Sequence, residues 1–140
     1  MRLPRSMAGW TMAVFGVLAI IMGATGLISP DSMLASLGFE VVPEAQRAAG
    51  DYTRVFILAS SMASFNMGVY YLVSVWTEWR SFYLFTALFR LMTFTVFTLL
   101  VVTGEAPGRF FGVAAWEGIG AVATGIGLWL DRRHRVFSNP

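Results

Sequence analysis

Four apolar stretches, residues 8–28, 52–76, 81–102 and 110–130, leave this chain little freedom in how it folds. A helix needs about 20 mostly apolar residues to cross a hydrocarbon layer about 30 Å thick, and each stretch meets that length. In lipid, backbone donors and acceptors must be satisfied within the structure, which a helix does by itself. The expected fold is therefore all-α: one integral membrane domain over 1–140, an antiparallel four-helix bundle. An outer loop covers 29–51 and a polar tail covers 131–140. Composition agrees, since 56% of the residues are hydrophobic and 13% charged, whereas about 25% of an average soluble domain is charged. With 140 residues shared among four spans, no length is left for a separate catalytic domain.

Several functions are excluded by what the chain lacks. The net charge is +2, and all ten basic residues are arginines scattered along the chain, so no nucleic-acid groove is expected. There is no cysteine, hence no disulfide, thiol chemistry or thiolate metal site. His134 is the one histidine and stands in an arginine-rich tail, so neither a two-histidine metal site nor haem ligation is expected there. No phosphate-binding loop or nucleophile elbow occurs, and the glycines of the fourth span lack the strand-turn-helix setting of a nucleotide fingerprint. A small four-span multidrug exporter would carry a glutamate in its first span, and this first span has none.

The connections set the topology. The apolar run 8–28 is longer than the 7–15 residue core of a cleaved signal peptide, so it reads as a retained span. Gly9, Gly16 and Gly23 recur every seven residues along it, allowing close helix approach. Ser29, Pro30 and Asp31 form a helix start, and Gly38 a stop. Between them Met33, Leu34 and Leu37 share a face. This short interfacial helix would lie on the membrane surface or pack on the bundle mouth. Residues 43–50 read as a helical lead-in, on which Arg47, Asp51 and Arg54 would form a charge ladder at the membrane edge. Ser60, Ser64 and Gly68 form a close-packing stripe on the second span, and the Asn66 amide is expected to hydrogen-bond another helix.

Arg2, Arg5, Arg80, Arg132, Arg133 and Arg135 fall on one side of this arrangement, and Arg47, Arg54 and Arg109 on the other. The positive-inside rule then puts both termini in the cytoplasm. The tenth arginine is the exception: Arg90 stands inside the third apolar run, and Glu117 stands inside the fourth. A charge at the bilayer centre costs about 3 kcal/mol on insertion scales, so each should face a partner. Arg90 lies about 13 Å from one membrane face and Glu117 about 11 Å from the other at 1.5 Å per residue, within reach of one another. Two readings stay open. The pair either fixes which helix lies beside which, or it forms a ligand pocket or proton relay with Asn66, Tyr70 and Tyr71. The ligand would be a quinone, a lipid headgroup or another anion.

The four spans, the 29–38 segment after the first, and Tyr52-Thr53-Arg54-Val55-Phe56 opening the second resemble the layout of the small DoxX-like four-helix membrane proteins. That resemblance implies a bacterial inner-membrane location. It also implies a role as a small, non-enzymatic subunit, since some such proteins are membrane subunits of quinone-associated oxidoreductases. It assigns no catalytic residue; no cofactor is expected other than a quinone or lipid that the buried pair would hold. The partners expected are the lipid bilayer and either another membrane protein or further copies of the chain.

Overall fold

A computed structural model describes residues 4–137, with side chains through Arg133. Expectations placed on Arg2, on the side chains of His134 and Arg135, and on 138–140 lie outside the described residues. Five helices follow in order: α1 (Met7–Ile28), α2 (Pro30–Ser36), α3 (Thr53–Trp76), α4 (Arg80–Val102) and α5 (Phe111–Phe137). All but α2 are long and apolar enough to cross a membrane. The fourth apolar run ends near Leu130, but its helix continues through the charged residues to Phe137. The stop at Leu130 is one of hydropathy only, since Asp, Arg and His do not break a helix.

The bundle is uneven. α1 packs extensively against α3 and also along α5, α4 leans on α5, and α3 barely touches α4 although the two are joined by a short turn. The helices thus stand in the order α3, α1, α5, α4. The α1–α3 seam is close because glycine lines it. A Cβ on Gly23 would collide with the Phe65 and Ser61 backbone, and one on Gly68 with the backbone of Gly16 and Ile20. Ser64 donates to the Ala19 carbonyl across this seam at 3.1 Å. Ser61 also faces the seam, whereas Ser60 points outward and bonds to its own helix at Ile57. Where α3 and α4 do meet, near their turn, the fully buried Tyr83 hydroxyl donates to the Ser74 carbonyl at 3.1 Å.

The outer loop decides between the two placements left open for α2. α2 packs on the bundle mouth, with Met33 and Leu34 buried against its neighbours α1 and α3. Ser29 stands at its N-cap, but the Ser29 hydroxyl bonds to Ser32 at 2.6 Å and no backbone amide is capped by it. α2 ends in a Schellman turn: Phe39 N–H reaches the Leu34 carbonyl and Gly38 N–H the Ala35 carbonyl, with Gly38 at φ +87, a conformation glycine adopts without penalty.

The ladder of Arg47, Asp51 and Arg54 does not form on one helix face. The lead-in is a single 3-10 turn, Glu44–Gln46, after which Arg47 is extended and Gly50 has φ +90, so helical register is lost before Asp51. Arg47 instead bonds the Val42 carbonyl and pairs with Asp31 at 3.5 Å. Asp51 accepts from the Thr53 hydroxyl at 2.6 Å and the Thr53 N–H at 2.9 Å. These two bonds, with a smaller contribution from Arg47, hold its carboxyl below its ordinary range. Arg54 is exposed in the first turn of α3.

Candidate functional site

The buried charge sits where all four long helices converge. Arg90 is ten residues into α4, about 15 Å along its axis, and only 4% exposed. Its Nε donates to Glu117 Oε2 of α5 at 2.7 Å, so the two charges expected to find one another are in direct contact. The face of Phe15, from α1, lies 4.0 Å from the guanidinium carbon, and the Tyr71 ring, from α3, lies at 5.9 Å. Phe15 is itself buttressed by Trp116 of α5 at a centroid distance of 4.3 Å.

The sequence of α5 makes room for this arrangement. A Cβ on Gly120 would run into the Arg90 Cζ, Nη1 and Nη2 atoms, so that glycine is the floor on which the guanidinium rests. Gly118 similarly takes the Phe94 ring. One carboxylate bond compensates only part of the cost of burying a cation. Two aromatic faces add a further electrostatic contribution, each about 0.5–2 kcal/mol. Arg90 Nη1 is buried and meets no acceptor among the described residues. The guanidinium is thus held by one charged bond, two rings and a glycine floor.

Of the residues expected around this pair, Tyr71 is present and Asn66 and Tyr70 are not. The line of α3 that meets α1 runs through Ser61, Gly68 and Val75. At 3.6 residues per turn, Asn66 and Tyr70 lie roughly 160° round the helix from Gly68. Asn66 is half-buried and Tyr70 is 55% exposed on that outer face. The proposed five-residue cluster therefore reduces to Arg90, Glu117 and Tyr71, joined by Phe15, Trp116 and Gly120.

A second polar cluster, at the end of the bundle where α1 begins, does not follow from the sequence reading. Two carboxylates remote in sequence hold the α1 N-terminus. Asp131 accepts from Met7 N–H at 2.9 Å and Ala8 N–H at 3.2 Å. Glu78, from the α3–α4 turn, accepts from Arg5 N–H at 2.8 Å and from the Ser6 hydroxyl at 3.1 Å. Ser6 in turn caps Gly9 N–H at 3.0 Å. Free helix N-terminal amides carry partial positive charge and need acceptors, and the first turn of α1 has no acid of its own. Glu78 takes up a left-handed φ of +51, a strained conformation for a residue with a Cβ. Gly127 lets α5 approach closely, since a Cβ there would strike the Ala8 backbone. The sequence signal for this clasp was available: an acid-free first turn, with acids at the α3–α4 turn and at the end of the fourth run.

Among the described residues, no group of three or more acidic or histidine side chains is placed to hold a metal. No protein-family model, no curated protein and no solved structure matches the chain.

Proposed function

We propose that the protein is a small subunit or scaffold of the bacterial inner membrane, in which the Arg90–Glu117 pair fixes helix packing. The observation that carries this reading is the direct 2.7 Å bond between the two charges, on a guanidinium closed over by Phe15, Tyr71 and Gly120. A cation enclosed in this way specifies which helices can lie together, because any other arrangement would strand it in hydrocarbon. With catalysis left out, the function lies in its contacts with another membrane protein or with further copies of itself. The layout resemblance to DoxX-like proteins supports a subunit role. Among the described residues, Arg5, Arg80, Arg132 and Arg133 towards the end where α1 begins, against Arg47, Arg54 and Arg109 towards the other, support cytoplasmic termini by the positive-inside rule.

One observation favours the rival reading, a ligand-handling protein. Arg90 Nη1, which no described acceptor meets, would take an oxygen of a quinone or an anionic headgroup. Thermal melting in nanodiscs separates the two readings, comparing the wild type with the apolar double variant Arg90→Met/Glu117→Leu. For a scaffold, adding a short-chain quinone or an anionic lipid moves both melting curves alike. A rise confined to the wild type would replace the scaffold reading with the ligand-handling one.

A further inference from the structure

The outer face of α3 carries a pattern that the bundle does not use. Phe56, Ala59, Ala63, Asn66, Tyr70 and Val73 follow one another at intervals of three and four residues. All lie on the side of α3 turned away from α1, and all are exposed except the half-buried Asn66. Alternating steps of three and four are the seam of a left-handed coiled coil, the commonest crossing between helices in membranes. The small-residue line through Ser61, Ser64 and Gly68 is already taken up by α1, so this seam is a separate one. Asn66 lies at its centre, 13 residues from the first and 10 from the last residue of α3, or about 15–20 Å from either end.

Asn66 differs from the other polar residues on the lipid-facing sides of the spans. Thr25, Ser60, Thr93 and Thr95 each satisfy their hydroxyl on a carbonyl of the preceding turn. An asparagine amide has two donors and an acceptor, and Asn66 makes no hydrogen bond among the described residues. Leaving such a group in hydrocarbon is costly. Its chemistry names a partner, because an amide is complementary to a second amide in the opposite sense.

We propose that α3 is a homodimer interface, in which two copies meet along the 56–73 seam with their Asn66 amides paired. Copies inserted in the same orientation present parallel α3 helices, so a two-fold axis along the membrane normal brings Asn66 opposite itself at equal depth. Ala59 and Ala63 let the helices approach, and a single buried asparagine fixes register and favours two strands. This rests on the scaffold reading and names its partner as a second copy of the chain.

The absence of cysteine makes disulfide trapping in membranes a clean test. Ala63→Cys in the full chain should give a cross-linked dimer, whereas Val96→Cys, exposed on α4, should stay monomeric. Adding Asn66→Leu to Ala63→Cys should lower dimer formation about fivefold, with partial recovery in Asn66→Gln. Position 66 faces outward, so an unchanged melting temperature confirms that the bundle stays folded. Equal cross-linking at 63 and 96, or no response to Asn66→Leu, would overturn the dimer. Either result leaves the Arg90–Glu117 coupling intact, and that coupling is read separately by stability.

Discussion

The molecule holds its helices together with two polar clusters of opposite character. At mid-depth, one cation is enclosed by residues from all four long helices and makes a single charged bond. At the end where α1 begins, two carboxylates accept four bonds from one helix terminus. The first cluster lies at mid-depth of the long helices, and the second lies at the bundle end, where Asp131, Ser6 and Ala8 are buried but Arg5 and Met7 are exposed. Equivalent changes should therefore cost much more at the first than at the second. The inner cluster specifies neighbours, and the outer one ties three helix ends together.

Removing one partner of the inner pair should have the largest effect. Arg90→Met or Glu117→Leu alone should destabilise the protein by about 3 kcal/mol, because each leaves a charge buried without its partner. Equilibrium unfolding in mixed micelles would read this. Gly120→Ala comes next: its methyl group must displace the guanidinium, costing about 1–3 kcal/mol as overpacking does, and the Arg90–Glu117 bond should lengthen or break. At the outer cluster, Asp131→Ala should cost about 1 kcal/mol, as loss of a helix cap does. It should also speed hydrogen exchange at Met7 and Ala8 while leaving the exchange of α4 unchanged. If Asp131→Ala proved as damaging as Arg90→Met, the contrast between the clusters would fail.

The smallest effect concerns acid. The Asp51 carboxyl is held below its ordinary value of 3.8, chiefly by the Thr53 hydroxyl. A depressed folded value means that its contribution is present above pH 3.8 and is lost as the pH falls through the lower folded value. The Thr53 amide should then exchange faster at the acid end of that window. Asp51→Asn should remove this dependence while leaving the spans unaffected.

How much of this was legible in the sequence differed by region. The spans and the Arg90–Glu117 pair could be read because a charge inside an apolar run has few places to go. Depth alone, though, does not say which way a neighbouring residue points. Tyr70 and Tyr71 are adjacent in sequence yet point about 100° apart round α3, one exposed and the other buried, so the cluster drawn from depth gathered residues that the helical period separates. Phe15, Trp116 and Gly120 were missed because an aromatic or a glycine in a span looks like ordinary packing until its neighbour is known. The Arg47, Asp51 and Arg54 ladder failed because the lead-in is one 3-10 turn, followed by an extended Arg47 and a positive-φ Gly50, so the helix that the spacing assumed does not exist. The end clasp was missed although the acid-free first turn of α1 pointed to acceptors elsewhere: they stand 72 and 123 positions away, and only the fold says which acids reach it.

A double-mutant cycle on Arg90 and Glu117, measured by unfolding in lipid, tests the packing role of the pair most directly. The two single substitutions should each be strongly destabilising and the apolar double variant close to wild type, so that the coupling approaches the sum of the two single losses, about 6 kcal/mol. Additive losses, with the double variant less stable than either single one, would contradict the account: the two charges would then act separately and the pair would not be the clasp.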